Sequence, residues 1–254
     1  MIDLHCHILP GIDDGAQTLE DSLAMAEVAV ANGITHILCT PHHNNGRFEN
    51  PKYEVMEHVS KLQEELDERN IPLTLFEGQE VRLTGETIPD LLGDRLLTVD
   101  SEDKYLLIEF PSSDVPSFSE QVVFELVSKG VTPIIVHPER NAVFLEEPNR
   151  LIPFLEMGCL AQLTAPSYIG VFGKKIQKMA KLMIKHNMVH MISTDAHNVN
   201  KRTFCLKEAY KRLGKEFGKE KVEEFQQIAK DLINGEQVEV SQYSEVEQKR
   251  GLFS

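Results

Sequence analysis

Residues 2–7 read IDLHCH, and the way this stretch ends decides how the rest of the chain is read. It enters apolar, closes on two histidines two positions apart, and passes at once into the loop ILPGIDDG (8–15). On a strand successive side chains alternate, so His5 and His7 point one way and Cys6 the other. Six more runs have the same character: ITHILCTPH (34–42), LTLFEGQE (73–80), YLLIEF (105–110), TPIIVHPER (132–140), CLAQLTA (159–165) and VHMISTDAH (189–197). Most are rich in Ile, Leu, Val and Thr. They are near-continuous rather than alternating, which suits strands buried on both faces.

Amphipathic stretches separate the runs. Residues 18–32 open on Thr18 as N-cap with Asp21 in the first turn and stop before Gly33. Residues 52–69 carry Val55, Val59, Leu62 and Leu66 at helical spacing. Further helices are expected at 117–129, 148–157, 174–187, 202–213 and 220–233. Strand followed by helix, about seven times over, predicts an α/β fold with a parallel sheet and right-handed crossovers. Closed, that sheet is a TIM-like barrel; open, it is doubly wound. At 254 residues, with no repeat or linker, the chain reads as a single domain spanning 1–254 with a polar tail from about 236.

Composition narrows the function. The net charge of −14 disfavours a phosphate-backbone partner, so no nucleic acid is expected. No apolar run approaches the ~20 residues of a membrane helix, and the first residues enter the histidine motif with no room for a signal peptide. The expectation is a cytoplasmic protein without membrane insertion. Cys6, Cys39, Cys159 and Cys205 are scattered, with no C-x-x-C and no Cys followed by Arg after five residues, so free thiols are expected. G-x-G-x-x-G and G-x-S-x-G are absent, and GVFGKK (170–175) fails as a phosphate loop because position 168 is Tyr.

Ligand-type residues recur where the runs end. His5 and His7 close the first, His42 the second, Glu80 the third, Glu109 the fourth, His137 the fifth, and Asp195 with His197 the seventh; Asp14 lies in the loop after the first. Barrel enzymes build their sites at this end of the strands. One such residue alone reads as a satisfied core group or a cap. The recurrence is different, because buried strands seldom end in ionisable groups unless the charges coordinate something. Imidazole with carboxylate and no thiolate suits Mn, Zn or Fe, and nine donors exceed what one ion takes, so two or three ions are expected with Glu80 bridging. Arg140 and Arg202 follow His137 and His197 by three and five residues, where a guanidinium would grip phosphate. His36, His43, His58, His186 and His190 are assigned no metal role.

DLHCH, PGIDDG, TPHH, the Glu80 segment, LLIEF, VHPER and STDAH, in this order over nearly the whole chain, resemble the PHP superfamily, named for polymerase and histidinol phosphatase. Within it the chain is most similar to bacterial manganese-dependent protein-tyrosine phosphatases of the CpsB/YwqE type. The resemblance implies a distorted (β/α)7 barrel with a trinuclear centre: His5, His7, Glu80 and Asp195 on one ion, Glu80, Glu109 and His137 on a second, Asp14, His42 and His197 on a third. It implies Arg140 and Arg202 as the phosphate clamp and as catalytic residues. Mn2+ is the expected ion, with Fe, Zn, Co or Mg as alternatives, and phosphotyrosine proteins the expected partners, including a cognate tyrosine kinase in capsule or exopolysaccharide control. The general acid is left open between Asp14, His43 and none. The rival substrate is a small phosphomonoester such as histidinol phosphate; rivals of another kind are a PHP-type nuclease and a metal-binding regulator without catalysis.

Overall fold

The computed structural model describes residues 1–100 and 102–247. The seven apolar runs form nine strands, because two of them break. They are β1 (Ile2–Cys6), β2 (His36–Cys39), β3 (His42–His43), β4 (Thr74–Glu77), β5 (Glu80–Arg82), β6 (Tyr105–Glu109), β7 (Thr132–Val136), β8 (Leu160–Thr164) and β9 (Met191–Ser193). Pro41, which has no N–H to give, separates β2 from β3. Gly78 lies between β4 and β5, where a Cβ would sit 2.8 Å from Leu38 Cγ, so only glycine allows the chain to pass that close to β2.

All strand pairs are parallel. One sheet has the order β1-β2-β4 and the other β3-β5-β6-β7-β8-β9, joined through the broken runs. The last run returns to the first through a parallel bridge between Cys6 and Ala196. There His7 N donates to Ala196 O (2.9 Å) and Asp195 N to His5 O (2.8 Å). The result is the expected α/β architecture, parallel strands wound as a distorted TIM-like barrel.

β1 carries a bulge. Its register runs Asp3↔Ile37 and then Cys6↔Cys39, one residue more on β1 than on β2. A bulge re-aims side chains beside a site. Here it lets Leu4 pack in an apolar plug with Leu38, Leu107, Ile134 and Met191 while His5 and His7 both reach the polar end.

The helices are α1 (Leu19–Ala31), α2 (Lys52–Glu68), α3 (Thr87–Leu92), α4 (Ser119–Ser128), α5 (Ala142–Glu146), α6 (Ile152–Glu156), α7 (Ala165–Ile169), α8 (Lys174–Lys185), α9 (Leu206–Phe217) and α10 (Lys219–Ile233). Thr18 caps α1 in a full capping box with Asp21, as its spacing predicts. Ile228, Ala229 and Leu232 of α10 cover the plug and close the end opposite the histidines. No helix among the described residues is long and apolar enough to cross a membrane.

Two helices differ from expectation. The one expected at 202–213 is α9, starting at Leu206. Asn198 Oδ1 accepts from the N–H groups of Asn200, Lys201 and Arg202, and this turn holds Arg202 out of the helix. The one expected at 148–157 begins as a 3-10 turn, Pro148–Leu151, before α6, since Pro153 lacks the N–H to continue it as one α-helix. The tail from 236 to 247 has no regular secondary structure, as its composition suggests, yet is pinned: Tyr105 Oη donates to Glu236 O (2.7 Å) and Val246 N to Asn149 Oδ1 (2.8 Å). The rest of that expected tail, 248–254, lies outside the described residues.

Candidate metal centre

The barrel brings all nine expected ligand-type residues to one place. His5 Nε2 and His7 Nε2 are 3.2 Å apart, and each lies 3.3 Å from Glu80 Oε2. Asp195 Oδ1 is 3.3 Å from His7 Nε2 and 3.5 Å from His5 Nε2. His137 Nε2 is 2.8 Å from Glu80 Oε1 and 3.9 Å from Glu109 Oε1. Asp14 Oδ1 faces His42 Nε2 (3.3 Å) and His197 Nε2 (3.5 Å). Except for His42 and Asp14, which stand at the opening, these side chains are buried or nearly so.

Three groups of these side chains each converge tightly enough for one ion: His5, His7 and Glu80; His42, Glu80 and Glu109; and His7, Asp14, His42 and His197. Relative to the split expected above, His42 takes the place beside Glu80 and Glu109 expected of His137, and His7 also approaches the Asp14 group. His137 and Asp195 stay within contact distance of the cluster but outside these groups.

The residues fit a metal centre on their own chemistry. His42 Nδ1, Glu80 Oε2, Asp195 Oδ1 and His197 Nε2 are buried without a well-directed hydrogen bond, although His42 Nδ1 and Glu80 Oε2 lie 2.8 Å apart. Buried polar atoms are nearly always paired, and four such atoms facing one volume mark a place for cations. Electrostatics agree. Burial opposes charge on Asp195, but Arg140, His5 and Arg202 outweigh it and hold its carboxyl well below the usual range. Burial, then the neighbouring Glu80, pushes Glu109 up against the pull of Arg82. Burial, then His7, brings His197 down to about 4, which leaves it neutral and able to coordinate.

Two ligand-type residues sit in strained backbone. His137 has φ 39° and Asp195 φ 53°, in the left-handed region that non-glycine residues avoid. Strain of this kind gathers at functional sites and persists where surrounding structure imposes it.

Three supporting residues escaped the sequence reading. Asp13 Oδ2 accepts from His7 Nδ1 (2.7 Å) and His42 N (3.2 Å), while its Oδ1 accepts from Gly15 N (2.8 Å). Gln162 Oε1 accepts from His5 Nδ1 (2.7 Å). Both contacts leave Nε2 of the histidine free to face the cluster. Arg82 reaches Glu109 Oε2 through Nε (3.0 Å) and Nη2 (2.6 Å). It follows Glu80 by two on β5, so strand periodicity alone would have placed it on the same face. Gly15 has its own reason: a Cβ there would lie 2.0 Å from His7 O.

Arg140 and Arg202 both reach Asp195 Oδ2, at 2.6 and 2.8 Å. With His42, Glu109, His137, Phe110, Phe144 and Phe172 they line a cavity of about 390 Å³. The Arg140 guanidinium lies 5.6 Å from the Phe172 ring centre. His43 does not join them. Its Nδ1 accepts from Asn50 N, and it lines a separate cavity with Arg47 and Asp90, which removes it as a proton donor here. The other four histidines also lie away from the cluster; His190 Nδ1, for example, accepts from Ala161 N. All four cysteines are free, and burial pushes Cys159 and Cys205 up to about 12, so neither offers a thiolate.

Residues 1–234 match the family model described as capsular polysaccharide synthesis, CpsB/CapC. The chain belongs to the CpsB/CapC family. Among members of that family it is 44% identical to the tyrosine-protein phosphatase YwqE of Bacillus subtilis over 220 residues, 87% of this chain and 86% of the relative. It also superimposes on a solved structure from work on YwqE of B. subtilis and CpsB of Streptococcus pneumoniae, described as unique metal-dependent tyrosine phosphatases. The TM-score is 0.94 at 40% identity, covering 98% of this chain and all of the other. A histidinol phosphate phosphatase from Lactococcus lactis, solved with zinc, L-histidinol and phosphate, shares the fold at TM-score 0.54 and 14% identity, covering 85% and 94%.

Proposed function

We propose that the chain is a metal-dependent protein-tyrosine phosphatase, with His5, His7, Asp14, His42, Glu80, Glu109, His137, Asp195 and His197 holding two or three divalent ions. The observation that carries this reading is the cavity beside the cluster. Phe110, Phe144 and Phe172 give it aromatic walls, and two guanidiniums stand beside the ligand-type residues. An aryl phosphate fits both features. The ammonium and imidazole of histidinol phosphate would need carboxylates; among the described residues the cavity offers only Glu109, already committed to Arg82.

Bound there, the ions would supply Lewis acidity toward phosphoryl oxygens and activation of water. The histidine and carboxylate set suits Mn2+, with Fe, Zn, Co or Mg able to substitute. Arg140 and Arg202, steadied on Asp195, direct their remaining N–H groups at the equatorial phosphoryl oxygens and stabilise the charge that builds there. Asp195 thus serves twice, one oxygen toward the cluster and the other anchoring both arginines. The His197 and His42 imidazoles facing its carboxylate hold Asp14 well below the usual carboxylate range, which makes it a poor proton donor. A phenol of pKa ~10 leaves without one more readily than an alcohol does.

The family's place in capsular polysaccharide synthesis supports a role opposite a tyrosine kinase, whose phosphotyrosines would be the substrate; the compartment proposed for it is the cytoplasm. The test is turnover of a phosphotyrosyl peptide against histidinol phosphate, both under manganese. The reading expects a higher kcat/KM for the peptide; the reverse order would assign the site to small phosphomonoesters.

A further inference from the structure

The sequence of α8, KKIQKMAKLMIK, holds five lysines and no acid. Lys174, Lys178, Lys181 and Lys185 recur at i, i+4, i+7 and i+11 and so form one stripe along the helix. Ala180, Met183 and Ile184 face the core. Like charges four apart repel, and among the described residues only Lys181 of this stripe meets a carboxylate, Glu216 of α9 at 2.7 Å. α9 adds Lys207, Lys211, Arg212 and Lys215. Residues 174–221 hold thirteen Lys and Arg against four Asp and Glu, in a chain whose net charge is −14. The basic charge is therefore concentrated in the segment that carries α8 and α9, in a chain that is acidic as a whole.

That segment begins at the cavity mouth. Phe172 lines the cavity two residues before α8 starts, and Arg202 lines it from the turn that carries Lys201. Resting on the phosphatase reading above, we propose that the lysine face of α8, entered at Lys174 and Lys175, docks an acidic chain segment adjoining the phosphotyrosine. α8 is ~18 Å long at ~1.5 Å per residue, the reach of about five extended residues beyond the phosphotyrosine. A polypeptide is favoured over an anionic bilayer. A charged plane would also meet the acidic remainder of the molecule, and the apolar face of α8 is already buried and unavailable for insertion.

The test uses phosphotyrosyl peptides with acidic, neutral or basic flanks. Wild type is compared with Lys174→Gln/Lys175→Gln/Lys178→Gln and with the matching triple Lys→Arg variant. Lys174, Lys175 and Lys178 are exposed, so the fold should tolerate both. At low salt, wild type should show the lowest KM for the acidic peptide. The Gln variant should raise that KM roughly threefold to tenfold, with kcat and turnover of p-nitrophenyl phosphate unchanged. The Arg variant should match wild type. Equal KM for all flanks in wild type, or no loss in the Gln variant, overturns the docking surface and leaves the phosphatase reading standing. Failure to hydrolyse any phosphotyrosyl peptide removes both. Flank-blind kinetics together with lysine-dependent sedimentation on phosphatidylserine vesicles would overturn the proposal in favour of a membrane contact.

Discussion

Asp13→Asn should cripple metal binding at a smaller cost in stability than Asp13→Ala. The native carboxylate accepts three hydrogen bonds, from His7 Nδ1, His42 N and Gly15 N. It thereby fixes the proton of His7 on Nδ1 and leaves Nε2, which lies 3.3 Å from both Glu80 and Asp195, bare to coordinate. An asparagine of the same size keeps one acceptor, enough for Gly15, but turns an N–H2 toward His7 and leaves the His42 N–H unpaired, at ~1–3 kcal/mol of stability. The imidazole then accepts at Nδ1 and carries its proton on Nε2, where an ion should be. Loss of such outer contacts costs ten- to a hundredfold in metal affinity, which is ~1.4–2.7 kcal/mol. Asp13→Ala should lose comparable affinity and also stability, because each buried donor left unpaired costs ~1–3 kcal/mol. The assay is calorimetric titration of the metal-stripped protein with Mn2+, alongside a thermal melt of the metal-free form. Wild-type Mn2+ affinity in Asp13→Asn would refute this account of His7.

Three further outcomes are expected. Arg202→Lys keeps the charge but loses the fork geometry; forfeiting one charge-assisted hydrogen bond at ~1.5–3 kcal/mol should lower kcat/KM about ten- to a hundredfold in steady-state assays. Changing Cys6, Cys39, Cys159 and Cys205 together to Ser should leave kcat within a few-fold, provided a melt shows the variant folded; its loss would point to a thiol mechanism. Burial holds His190 down at about 4, against ~6.5 in an unfolded chain, so the folded state binds fewer protons between those values. Its contribution is whole above pH ~6.5 and is lost as the pH falls toward 4, by at most ~3 kcal/mol. In melts across that window, His190→Gln should show a shallower decline than wild type.

The site was more legible in the sequence than the fold's details. Buried parallel strands must be apolar along their length, so ligand residues at their tips stood out one by one, from His5 to His197. The breaks at Pro41 and Gly78 were not legible, because the apolar pattern continues through both. Nor were α3, α5 and α7, each five or six residues long and too short for a helical period to show. Asp13 hid beside Asp14 in the same loop: one carboxylate faces the cluster and the other supports it, and only the backbone path decides which. Gln162 lay in a run with no ligand at its end, so nothing drew attention to it. The left-handed backbone of His137 and Asp195 was not legible either: Asp and His enter that region more often than other side chains, but most copies of either do not.

We propose that these nine side chains hold the ions on which turnover depends. It is tested most directly by counting metal per chain by mass spectrometry while phosphotyrosyl-peptide turnover is followed through EDTA removal and Mn2+ return. Two or three ions per chain, activity that falls as they leave, and recovery when Mn2+ is restored are the expected results. A metal-depleted chain that still turns over the peptide at full rate would contradict it.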